Sequence, residues 1–143
     1  NDAANNILIT GVQLEVGATA TDFEHRDYAS EYARCQRYYC KTFEDGTAPA
    51  QNAGRDGAFG AKGGTGGDFH ISWYFPVEMR NDPTVTLYNP AAANTSARNL
   101  DDGSDSAFSV FDQSTTNVSG QPTVDATDAG DAMSIHMTAD AEL

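Results

Sequence analysis

The sequence predicts a mainly β protein: an antiparallel β-sandwich, jelly-roll-like, preceded by one short α-helix. Three observations carry this. Residues 69–77 alternate strictly between large apolar and polar side chains, turn signals recur about every ten to fifteen residues beyond them, and tyrosines recur at helical spacing near the start. With 143 residues, 39% of them apolar and 13 of them glycine, the chain is long enough to bury a core without metal or disulfide staples.

Taking the elements in order, residues 6–16 alternate in two phases. Ile7 and Ile9 point one way, and after Gly11 the set Val12, Leu14 and Val16 continues with a shift, which predicts a half-buried strand kinked or bulged at Gly11. The chain has neither a starting Met nor a signal peptide, so it is expected to be a piece of a longer one. Residues 1–26 then read as the remnant strand and connector of a preceding domain, 27–41 as a helix and 42–143 as the sandwich. Asp27 is placed to cap the helix by accepting from the free amides of its first turn. Tyr28, Tyr32, Cys35 and Tyr39 follow at spacings of four, three and four and form one narrow stripe. So narrow a stripe on so short a helix needs a partner, either its own domain or copies of itself at an oligomer axis. On such a helix Cys35 and Cys40 would lie about 7.5 Å apart along the axis and face apart, so they are expected to be reduced thiols.

Residues 43–67 are rich in Gly, Ala, Asn and Asp, but they contain neither dinucleotide-binding nor Walker-type spacing. They are expected to be a flexible connection, with a glycine-rich edge strand near residues 58–61. In the following strand Phe69, Ile71, Trp73, Phe75 and Val77 share the core face, His70, Ser72, Tyr74 and Pro76 the other, and Pro76 suggests an edge position. A turn at Asn81–Pro83 and a strand at residues 84–88, with Val85 and Leu87 inward, suggest a hairpin. A long polar loop follows, then a strand at 107–111, a turn region through Gly120, a strand near 123–125, and a last strand with Met133, Ile135 and Met137 on one face and His136 on the other.

Charge narrows the function. Against 21 Asp and Glu there are 8 Lys and Arg, a formal net charge of −13, so the cations that drive nucleic-acid binding are nearly missing and anionic lipid is repelled. No run approaches the roughly 18 apolar residues of a membrane span. Catalysis is not expected: Glu15, Glu24 and Glu78 are scattered, and the three His residues lack the context of a nucleophile.

Several stretches together resemble a known module. "GVQLEVG", "FEHR" and "CQRYY" near the start, then "FPVEMRNDPTVTLYNP", "ARN" and the terminal "TADAEL", are similar to the C-terminal module of tail-fibre-type structural proteins of bacteriophages and marine viruses. The likeness covers most of residues 9–143, while the glycine-rich and "FDQSTTNVSGQP" regions depart from it. Thr21-Asp22-Phe23 also departs, since the family usually carries a proline before the Phe. The resemblance implies a homotrimer in the virion tail that attaches to a bacterial surface or algal polysaccharide. Similar modules resemble carbohydrate-binding modules joined to polysaccharide-degrading enzymes, which would be extracellular, and a purely structural trimerisation domain is a third reading.

Sugar binding needs an aromatic face and a few amides or carboxylates in a shallow groove. Trp73 shares the phase of Ile71 and Phe75, which favours burial, so Tyr74, on the side of His70, is the better exposed platform. Tyr88, Asn89, Asn94 and Arg98 in or beside the polar loop could complete such a site. Asp101, Asp102 and Asp105 around Gly103 offer hard oxygen ligands of the kind calcium takes, without the EF-hand pattern; their alternative is a solvated acidic turn. His136 on the last strand either meets its copies around a trimer axis or stands in solvent.

Overall fold

The computed structural model describes residues 9–62, 70–123 and 130–142. In chain order it contains α1 (Tyr28–Gln36), β1 (Tyr39–Lys41), β2 (Phe59–Lys62), β3 (Ile71–Tyr74), β4 (Thr84–Tyr88), β5 (Ala97–Asn99), β6 (Asp105–Ser106), β7 (Phe108–Gln113), β8 (Asn117–Pro122) and β9 (Ala132–Asp140). All the pairings are antiparallel. Six strands form one sheet built on β9, and β3-β8-β7 form a second, giving a mainly β, sandwich-like protein with one short helix.

The long strand β9 organises the larger sheet. Its C-terminal half lies between β1 and β4, and its N-terminal half between β2 and β5. Alternation sends Met133, Ile135, Met137 and Ala139 inward, where they meet Ile71, Trp73, Phe75 and Val118 from the smaller sheet. Met133, Ile135 and Met137 are fully buried, each worth about 1.5–3 kcal/mol of apolar transfer. Trp73 packs edge-on against Phe75, with centroids 5.0 Å apart, and closes the layer against Phe59 at 5.9 Å.

The outer face of β9 is also buried over much of its length. Ser134, His136 and Thr138 are all buried, and Thr42, Phe43 and Gly54 fold back across His136. The His136 ring lies flat on Phe43, with centroids 4.0 Å apart. Its Nδ1 is 2.9 Å from Thr42 Oγ1 and its Nε2 is 3.1 Å from the Gly54 carbonyl. Met137 N–H donates to Thr42 Oγ1 at 3.0 Å, so the threonine hydroxyl is left to donate to Nδ1, and Nε2 carries the proton given to Gly54. Every polar group is paired when the ring is neutral. Burial accordingly lowers the His136 pKa, while the Gly54 carbonyl and Asp56 pull less strongly the other way. The expectation of an exposed His136, or of one meeting its copies at an axis, is corrected: the intrachain cover leaves it no access.

The strands expected at 58–61, 84–88 and 133–138 are present as β2, β4 and β9, and β3 is an edge strand. The expected hairpin between β3 and β4 is not formed. β3 pairs with β8 and β4 with β9, so residues 75–83 cross between sheets, anchored by buried Met79 and Pro83 and by the bond from Met79 N–H to the Thr115 carbonyl at 2.7 Å. The turn region expected through Gly120 is shorter. β7 and β8 form a hairpin through residues 114–116, with a bulge at Phe111 where Val110 faces Gly120 but Asp112 faces Ser119. A Cβ at Gly120 would collide with the Phe108 ring, so only glycine lets that ring lie across the strand. The expected polar loop likewise contains the short β5–β6 hairpin.

Residues 9–16 form no strand. Among the described residues no neighbour offers them a ladder, and Ile9, Val12, Leu14 and Val16 point into solvent, Leu14 at 100% exposure. The segment is clasped as a loop instead: the Glu15 carboxylate accepts from both N–H and Oγ1 of Thr21 at 2.6 Å, and Gln13 Oε1 accepts from Glu24 N–H at 2.8 Å. Residues 6–8, Phe69, the glycine run at 63–67 and most of the strand expected near 123–125 lie outside the described residues.

Candidate functional site

The helix is capped as its sequence predicts. Asp27 Oδ1 accepts from Ser30 N–H at 2.9 Å and Oδ2 from Ser30 Oγ at 2.6 Å. It ends at Gln36, however, and Tyr39 belongs to β1, so the expected four-residue seam is cut to Tyr28, Tyr32 and Cys35. Pairing with β9 captures the chain here: Tyr39 stands opposite Asp140, and Cys40, opposite Ala139, drops into the core. None of the helix is buried, and Tyr28 stacks on Tyr32 with centroids 5.8 Å apart.

This turn from helix into edge strand creates a groove of about 490 Å³. It is lined by Tyr32 and Cys35 of α1, Tyr39 and Lys41 of β1 and Tyr74 with Pro76, together with Phe59 and the core residue Trp73. Tyr74 is 73% exposed and the Tyr32 and Tyr39 rings are partly so. The Tyr32 hydroxyl donates to Asp45 Oδ1 at 3.2 Å, which fixes its ring and, with the Asp45 charge as the main cause, raises its pKa. Both cysteines are free thiols and line the groove: Cys35 is exposed, while Cys40 is buried, bonds the Gln36 carbonyl and has its pKa pushed up to about 11 by desolvation. Sequence reasoning assigned Tyr74 to sugar and Tyr32, Cys35 and Tyr39 to a seam; the structure brings these four together.

The other expected sugar-binding residues are elsewhere. Trp73 is a core residue, as its phase implied. His70 meets Phe111 edge-on at 5.2 Å, beside the bulge. Asn89 is fully buried: its Nδ2 donates to Asn94 Oδ1 and Asp105 Oδ1, both at 2.9 Å, and its Oδ1 accepts from the amides of Ala91 and Ala92. Asn94 and Arg98 donate to the same Asp105 carboxylate at 2.8 and 3.1 Å. Asn89, Asn94 and Arg98 thus brace their own loop through one carboxylate. Burial works to raise the Asp105 pKa, but the bonds from Asn89, Asn94 and Arg98 outweigh it and hold it below the usual carboxylate range.

The acidic trio is likewise divided. Asp101 accepts from Ala132 N–H at 2.7 Å, Asp102 from Ser104 N–H at 2.7 Å, and Asp105 is held as above. Among the described residues no group of three or more His, Cys, Asp or Glu is placed to hold a metal ion. Among them, too, no helix is long and apolar enough to cross a membrane.

A second concavity, which sequence reasoning missed, lies on the outer face of the sheet where β9 emerges from under Phe43. Register places Tyr39, Asp140 and Thr84 in one row and Lys41, Thr138 and Thr86 in the next, with Tyr88 beyond them opposite His136. The hollow, about 570 Å³, is lined by Tyr39, the three threonines, Tyr88, Asp140 and Glu142. Burial is the main cause of the raised Tyr39 pKa, with Tyr88 and Asp140 adding to it. The alternation of β4 was the available signal, since Thr84, Thr86 and Tyr88 share the phase opposite Val85 and Leu87. Comparison with known proteins returns no matching family model, curated protein or solved structure.

Proposed function

We propose that this chain is a non-enzymatic attachment module, of the viral tail type its sequence resembles, that holds host-surface glycan in the groove between α1, β1 and β3. The observation that carries this reading is the convergence of three solvent-facing tyrosines, Tyr32, Tyr39 and Tyr74, around one open groove. Tyrosine rings offer flat apolar faces to the C–H surface of a sugar, and Gln36 and Asp45 stand in the same lining to meet its hydroxyls. Asp45 is the one carboxylate among the described lining residues, whereas glycoside hydrolysis by the usual route requires two across the bond. Binding without cleavage is what such a groove supports.

Trimerisation belongs to the same proposal. Val12, Leu14, Val16 and Tyr28 have no cover among the described residues, and association would bury them while leaving the groove open. Light scattering is expected to give three times the 15.2 kDa chain mass. On a glycan array the protein should bind and Tyr74→Ala should lose binding with its melting and mass unchanged. Binding indifferent to Tyr74 refutes the groove, and reducing ends released from a polysaccharide refute the non-enzymatic reading.

A further inference from the structure

Tyr39 is a wall of both hollows: it lines the groove beside α1 and the outer hollow of the β1-β9-β4 sheet. The two are neighbours around one edge strand. Strand geometry sets the Cα atoms of Tyr39 and Tyr88 about 16 Å apart, two strands across and four residues along. A monosaccharide cannot span that distance; a short oligosaccharide can. Between the two rings the sheet presents the hydroxyls of the exposed Thr84 and Thr86, which can both give and accept hydrogen bonds.

Charge decides the class of chain. The carboxylates around the path are Asp45 in the groove and Asp140 and Glu142 in the outer hollow. The one cation among the described lining residues is Lys41, and its ammonium donates to the carbonyls of Glu44 at 3.0 Å and Thr47 at 2.6 Å, so it straps down its own loop. An acidic sugar would meet like charge without a free partner, on a protein of net charge −13. We infer that the ligand is a glycan chain without acidic groups and that it runs from the groove over Tyr39 and across the outer sheet face to Tyr88. This rests on the groove reading above and adds to it the path and the charge class.

The experiment is titration calorimetry of the full chain with four sets of probes: neutral β-glucan oligomers of increasing length, chitosan oligomers, alginate oligomers and sulfated galactan oligomers. Affinity for the neutral series should rise with length until the path is filled. Chitosan oligomers should bind more tightly as salt is lowered, and the uronate and sulfate chains should bind at least tenfold more weakly than neutral chains of equal length. Tyr88→Ala should weaken the long neutral oligomers about tenfold and leave disaccharide binding unchanged. Length dependence in the unaltered protein tests the path even if that variant folds poorly. Affinity independent of length overturns the path but leaves the groove standing, and alginate or sulfated chains binding as well as neutral ones overturn the charge class. If no chain of any kind binds, the groove reading fails and this inference falls with it.

Discussion

Thr42 tests the architecture most directly, because one hydroxyl joins the cover segment to the buried outer face of β9. Thr42→Val keeps shape and volume but removes the acceptor of Met137 N–H and the donor to His136 Nδ1. His136 is 1% exposed, so water cannot replace the lost partner at the ring. A buried group left unpaired costs about 1–3 kcal/mol, so the two together should cost about 3 kcal/mol. Against a typical stability of about 5–15 kcal/mol that is a large share. The assay is urea unfolding followed by the fluorescence of Trp73, the single tryptophan, which sits in the core. Because self-association would add to apparent stability, every variant is compared at one protein concentration. Thr42→Ser keeps the hydroxyl and should lose about 1 kcal/mol or less. If valine unfolds within about 0.5 kcal/mol of the parent, with the same denaturant slope, the hydroxyl bridge does not hold the cover in place.

Three further outcomes follow from the same geometry. His136 is neutral when buried and its folded pKa is lowered, so its contribution is complete above the unfolded value of about 6.5. That contribution is lost as pH falls from there toward the folded value; pH-dependent melting should therefore decline in mild acid, and His136→Gln should flatten the decline. Gly57→Ala should destabilise far more than Gly46→Ala: both have positive φ, +82° and +84°, but at Gly57 the new Cβ would also collide with the Thr42 carbonyl oxygen, while at Gly46 it meets nothing. Thermal melts should show a loss of about 1–2 kcal/mol at Gly46 and a larger one at Gly57. Native thiol titration should label Cys35 promptly and Cys40 only on unfolding, since Cys40 is buried with its pKa pushed up to about 11.

What the sequence disclosed depended on whether a residue's neighbours were local. Alternation in β3 and β9 and the Asp27 cap are set by residues close in the chain, and they were legible. The segment at 9–16 alternates just as well, but a strand also needs a ladder, and nothing in a local pattern says whether one exists. The tyrosine spacing ran past the true helix end because Tyr39 falls on the helical stripe by position, while pairing with β9 across about a hundred residues of chain claims it for the sheet. β8 was read as turn because Val118 is the lone large apolar residue among Asn, Ser, Gly and Gln; its strand character comes from β3 and β7 on either side. Asn89, Asn94 and Arg98 lie close in sequence in a polar loop and so resembled a binding site, yet their shared partner Asp105 makes them a brace. In each of these cases long-range contacts decided between two readings that the local sequence allowed.

The outer face of β9 shows how stability and site are parts of one arrangement. Along one strand face, His136 is sealed beneath Thr42, Phe43 and Gly54, whereas Asp140 two rows further on lies open beside Tyr39 and Thr84. Phe43 marks the boundary: it stacks on His136 and meets Tyr88 edge-on at 5.4 Å, so the ring that closes the sealed half also supports the last aromatic of the open half. The strand needs the seal because both ring nitrogens of a buried histidine must be paired, and the cover supplies the Thr42 hydroxyl and the Gly54 carbonyl to it. Since the same strand fixes β1 by register, the position of Tyr39, shared by groove and sheet face, depends on β9 remaining seated. Loosening the cover at Thr42 should therefore weaken ligand binding as well as stability, although Thr42 lines neither hollow.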